Sequence, residues 1–126
     1  MKAVAINMGV VFKSQNEITN IEYKSGRLEI TSQSLDETRT VGAIFLEVAG
    51  FRVLDEADLL EFWPTCSSTN GWVFQINEGG WFAQERLRTG FFRGDIEGIN
   101  EYLVTGISEC VSVFAWAPPE LYFNAP

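Results

Sequence analysis

Apolar and polar residues alternate in short runs along most of the chain, and clusters of Gly, Asn and Ser separate one run from the next. A period of two is the pattern of half-buried β-strands, and few stretches are both long and periodic enough to suit a helix. The clearest unit is IEYKSGRLEI, residues 21–30. A two-residue turn at Ser25 and Gly26 places Tyr23 opposite Leu28 and Ile21 opposite Ile30 on one face of a hairpin. Glu22, Lys24, Arg27 and Glu29 then share the wet face, where unlike charges offset the like charges that stand directly opposite.

Further along, Thr40 to Leu54 is apolar on both alternating sets, with Val41, Ala43 and Phe45 on one and Ile44, Leu46 and Val48 on the other. This predicts a central strand that is covered on both faces, with a bulge or bend at Gly50 before the chain re-enters as Phe51 to Leu54. Asp55 to Trp63 predicts the one helix: Asp55 as N-cap, Glu56 and Asp58 in the first turn, and Pro64 as the stop. TCSSTNG reads as a loop. WVFQINEGGWFAQERL predicts a second hairpin, with Glu78, Gly79 and Gly80 as its turn and Trp81 opening the return strand. A third pair runs from Glu101–Thr105 through Gly106, Ile107, Ser108 and Glu109 into Cys110–Trp116, and Pro118 and Pro119 close it.

With 126 residues, 46% of them apolar, the chain has the material for one domain with a substantial core. The expected architecture is therefore a single, mainly antiparallel β domain over residues 1–126, with one short helix. A β-sandwich and a partly closed barrel both fit, and an α+β layout with the helix across a curved sheet is the alternative. Ten Phe, four Trp and three Tyr exclude a disordered composition.

The chain has no histidine, which removes Ser-His-Asp and Cys-His chemistry and every His-containing metal site. Two cysteines, Cys66 and Cys110, are too few and too far apart for a zinc or iron-sulfur centre. Nothing near Cys66 in sequence lowers its pKa, and Cys110, in an alternating strand, is expected to be buried. The acidic group Asp55, Glu56, Asp58 and Glu61 lacks the spacing and the Gly of a calcium loop. Gly90, Gly94 and Gly98 match neither a dinucleotide fingerprint nor a P-loop and read as turn glycines. These exclusions point to a non-enzymatic protein with no cofactor and no metal.

Nine Lys and Arg against 17 Asp and Glu give a net charge of −8, which repels phosphate backbones and anionic lipid surfaces. Neither nucleic acid nor a membrane is an expected partner. Arg93 is the last basic residue, and Asp95, Glu97, Glu101, Glu109 and Glu120 follow it unopposed, a zone suited to a basic protein partner. Residues 71–92 are rich in aromatics, among them Trp72, Trp81 and Phe82, with Arg86, Arg88 and Arg93 beside them. Exposed aromatics supply affinity at interfaces. The candidate partner-binding set is therefore Trp72, Trp81, Phe82, Glu101 and Glu109. A homodimer in which strands within 72–87 extend a sheet across a two-fold axis is a rival use of the same aromatics. A small apolar ligand held in a β cavity is another. The apolar stretch from Ala3 to Phe12 is interrupted by Asn7 and lacks a small-x-small cleavage site, so the cytoplasm is the expected location.

FRVLDEADLLEFW and EYLVTGISECVSVFAWAPPE, about a quarter of the chain, resemble recurring segments of small bacterial proteins that include immunity proteins of polymorphic toxin systems. The resemblance implies a bacterial cytosolic domain that binds and neutralises a partner toxin. It carries no individual functional residue.

Overall fold

A two-residue reversal between strands of normal twist needs positive φ at its central positions. In the computed structural model, which describes residues 2–7, 15–35, 39–55, 62–66, 71–90 and 98–124, Ser25 and Gly26 supply it with φ of 50° and 85°. The strands they join, β2 (Asn16–Lys24) and β3 (Arg27–Ser34), pair as expected, Tyr23 with Leu28 and Ile21 with Ile30. Leu28 and Ile30 are fully buried, whereas Tyr23, two residues before the turn, is 50% exposed. The register slips between Ile18 and Asn20. That extra residue keeps Ile18 and Ile21 on the same inward face although they lie three positions apart.

The remaining strands are β1 (Lys2–Ala5), β4 (Thr40–Phe45), β5 (Val48–Asp55), β6 (Val73–Glu78), β7 (Asn100–Val104), β8 (Glu109–Ala115) and β9 (Glu120–Asn124). They form a five-stranded sheet in the order β1-β6-β7-β8-β5 and a four-stranded sheet in the order β2-β3-β4-β9, with every pairing antiparallel. The sheets pack face to face and do not close on each other, so the fold is a sandwich and not a barrel. Leu28, Ile30, Val41, Ala43 and Phe45 meet Trp72, Tyr102, Val104, Val111 and Val113 in the shared core. A second cluster, Phe62, Cys66, Phe74, Ile76, Leu103 and Cys110, lies on the opposite face of the five-stranded sheet. That sheet is therefore apolar on both sides.

Three expectations are corrected. The run from Thr40 to Leu54 is two strands in different sheets, because the chain turns at Leu46 and Glu47. The Val48 N–H donates to the Gly26 carbonyl and the Trp116 N–H to the Glu47 carbonyl, which fixes the crossing. The irregularity expected at Gly50 is present as a register shift between Val48 and Gly50.

The expected helix from Asp55 to Trp63 falls partly on residues 56–61, which lie outside the described residues. Asp55 itself ends β5, paired with Glu109, and the helix described is α1 (Trp63–Cys66). Pro64 stands in its first turn, where a missing N–H costs no helical hydrogen bond, and does not stop the helix.

The return strand expected at Trp81 is instead a second short helix, α2 (Trp81–Glu85). β6 already has β1 on one side and β7 on the other. Its hydrogen-bonding edges are taken, so residues 81–87 have no place beside it and the strand offers no edge for a dimer. By contrast, β7 and β8 pair as expected, with Tyr102 opposite Val113 and Val104 opposite Val111.

β9, which follows Pro118 and Pro119 in a stretch where the sequence marked no strand, completes the four-stranded sheet against β4. Its Tyr122 lies across Gly42, and the hydroxyl donates to Glu29 Oε2 at 2.8 Å and lies 3.2 Å from Thr31 Oγ1. A Cβ at position 42 would collide with the Tyr122 ring. At the other end of the sandwich the buried Asn16 side chain donates to Ser32 Oγ at 2.7 Å and to the Thr105 carbonyl at 2.8 Å, joining the two sheets.

Gly42→Ala is expected to destabilise the protein by about 1–3 kcal/mol in denaturant unfolding, the usual cost of overpacking. In a Tyr122→Ala background most of that penalty should vanish; an equal cost in both backgrounds would place the constraint elsewhere.

Candidate functional site

Gly79, with φ of 80°, turns the chain out of β6, and Gly80 then delivers the start of α2 to the outer face of the five-stranded sheet. The first amides of a helix lack partners of their own. Here the Trp81 and Phe82 N–H groups donate to Glu101 Oε2 at 2.9 Å and Oε1 at 2.8 Å. The carboxylate lies so close beneath Gly80 that a Cβ there would stand 2.6 Å from Oε2. Glu101 is only 3% exposed. Burial pushes its carboxyl above the ordinary value, opposed by the two backbone donors and by the charge of Arg52.

The aromatic side chains of α2 lie on the sheet. Trp81 stacks on Phe114 with ring centres 4.0 Å apart, and Phe82 meets the same ring edge-on at 5.6 Å. The Arg52 guanidinium stands 4.7 Å from the Trp81 ring centre. Trp81 Nε1 donates to Glu85 Oε1, whose other oxygen accepts from Arg88 Nε at 2.9 Å.

Among the residues expected to bind a partner, Trp72 is 1% exposed within the inter-sheet core and offers no surface. Glu101 is likewise withdrawn from the solvated acidic zone in which the sequence placed it, because it caps α2. Trp81 and Phe82 are half-buried against Phe114, and Glu109 is half-buried opposite Asp55 at the end of β8. The five do not form one exposed patch.

Both cysteines are buried and neither is in a disulfide. Burial, reinforced by the charge of Glu101, pushes the Cys66 thiol up to about 12, which keeps it protonated at neutral pH. Among the described residues no three acidic or sulfur side chains are grouped to hold a metal ion. No helix among them is long and apolar enough to cross a membrane.

A more open arrangement lies on the outer face of the four-stranded sheet. The cross-strand register aligns Glu22, Glu29, Ile44 and Glu120 in one row. Glu22 and Glu120 are exposed. Glu29 is held below the ordinary carboxylate range, first by the Tyr122 hydroxyl and then by Arg27, 3.2 Å away. Like charges directly opposite destabilise a sheet. The Arg27 and Tyr122 contacts relieve Glu29, while Glu22 and Glu120 make no ion pair with another of the described residues. The alternation of the 21–30 hairpin marks the Glu22–Glu29 half of the row, whereas Glu120 joins it only through the pairing of β9 with β4.

The described residues thus define an antiparallel β-sandwich with two short helices, a buried capping carboxylate on one outer face and an acidic row on the other. Comparison of the chain with protein-family models, with curated proteins and with solved structures gave no match.

Glu101→Gln keeps one acceptor oxygen and loses the other, so one buried N–H of α2 loses its partner, at an expected cost of about 1–3 kcal/mol. The pH dependence has a definite sign. Because the folded-state pKa lies above the ordinary 4.5, the carboxyl contributes most to stability below that value and less as pH rises through the raised pKa. Unfolding free energies measured from acid to neutral pH should therefore show the advantage of the wild type over Glu101→Gln shrinking as pH rises. An advantage that grows instead would mean that the two N–H bonds outweigh burial.

Proposed function

We propose that the protein is a non-enzymatic binding module that recognises a basic protein partner through the outer face of its four-stranded sheet. The acidic row Glu22, Glu29 and Glu120 carries this reading. It is held in register by three strand pairings, faces solvent at both ends, and lies in a chain of net charge −8. Adjacent strands stand about 4.8 Å apart, so a partner that presents Lys or Arg on a strand or helix meets carboxylates at fixed spacing. Fixed charges of this kind speed encounter and reject acidic competitors. Ile44 within the row and the Tyr122 ring beside it supply apolar contact. The resemblance of two segments to immunity proteins, which neutralise a partner toxin, supports the same class of activity. The aromatics of α2 act in this scheme as scaffold, not as contact surface.

The test compares wild-type protein with the Glu22→Gln/Glu120→Gln double variant, both immobilised and exposed to extract of the native cell. Both positions are exposed, so the variant should fold with unchanged stability, within about 0.5 kcal/mol. A stoichiometric basic protein retained by the wild type, with an association rate reduced roughly tenfold in the variant and by added salt, is the expected result. Equal retention by the two proteins, or a captured partner without basic character, defeats the reading.

A further inference from the structure

A cleft of about 310 Å³ opens between the β6–α2 turn and β7. It lies on the outer face of the five-stranded sheet, in the opposite layer from the acidic row, and does not depend on it. Its size falls at the lower end of small-molecule sites. We propose that this cleft binds a small organic cation, a primary ammonium on a compact apolar body, with the Glu101 carboxylate as its counter-ion.

Three observations converge on that class of ligand. The first is unused acceptor capacity. A carboxylate offers about four lone-pair sites, and the Trp81 and Phe82 amides occupy one on each oxygen of Glu101. An ammonium brings three donors and full charge, whereas the two amides are neutral.

The second is charge. Two carboxylates, Glu78 and Glu101, line the cleft against one guanidinium, that of Arg86. Glu78 is exposed and lies 3.5 Å from Lys2, and Arg86 is exposed, so solvent screens both. Glu101 is the buried charge, offset only in part by Arg52 beside Trp81, and a cation arriving from the cleft would further relieve the cost of keeping it ionised away from water.

The third is shape. Ile76, Phe82 and Ile99 give the walls apolar surface for the body of the ligand. Gly80 packs directly against the carboxylate at the edge of the cleft, with no room for a side chain there.

The probe is benzylamine, added as its hydrochloride to the 126-residue chain, with benzyl alcohol as the neutral analogue of the same shape. Binding is read from the amide resonances of Gly80, Trp81 and Phe82. Saturable shifts with benzylamine, at least about tenfold weaker with benzyl alcohol, are expected from a charge-assisted contact. Glu101→Gln should weaken benzylamine at least as much. Because that variant also loses part of the α2 cap, Ala83→Leu provides a second test: it fills the cleft from an exposed helical position and leaves Glu101 and its two donors intact. A folded Ala83→Leu protein that no longer responds to benzylamine supports the site. Absence of saturable shifts in the wild type, equal response to benzyl alcohol, or unchanged benzylamine binding by folded Ala83→Leu overturns it.

Discussion

Glu101 must satisfy two backbone donors while shut away from water, and much of the outer layer is arranged to let it. The residue belongs to β7, which is interior to the five-stranded sheet, so its side-chain position is fixed by neighbours on both sides. Holding the first amides of α2 there aims Trp81 and Phe82 at Phe114, the residue directly across the strand pair from Glu101. One acid thus selects helix over strand for a segment whose own composition suited either. The same contact explains Gly80, since any side chain would occupy the space of the carboxylate.

The five-stranded sheet is the middle layer of the molecule, with the four-stranded sheet on one face and the two short helices on the other. Alternate residues of its strands consequently face two different dry environments. Phe74 and Leu103 enter the helix-side cluster, while Val73, Tyr102 and Val104 enter the inter-sheet core. The four-stranded sheet has a single dry face, and its other face carries the charges. Cores on both sides of one sheet also account for two buried thiols outside any disulfide: Cys66 and Cys110 fill apolar space beside Phe62 and Leu103.

What could be read from the chain follows the distance over which each choice is made. The β2–β3 hairpin and the β7–β8 pair rest on turns and alternation within a few residues, so the register over residues 21–30 of the first and the pairing of the second were legible. The switch of sheets at Leu46 and Glu47 was not, because two strands that are each half apolar read as one strand covered on both sides. Nor was α2: Gly79 and Gly80 carry a hairpin signal, and the decisive contact with Glu101 is 20 residues away. For the same reason Glu101 read as a surface acid. The acidic row lay further out of reach, since it needs the partnership of β9 with β4, and sequence alone gave β9 no partner.

The Tyr122 clasp over Gly42 has a bearing on the order in which the molecule is assembled. Its hydroxyl meets groups 91 and 93 positions earlier in the chain, so the clasp closes one of the longest loops in the fold. During synthesis β9 emerges after the eight other strands of the described residues. Until it docks, β4 is a bare edge whose inward side bears Val41, Ala43 and Phe45. An uncovered apolar edge is the surface on which nascent chains mispair with one another. β9 therefore acts as the closure of that edge, and the tyrosine ring seated over a bare glycine fixes the register in which it arrives.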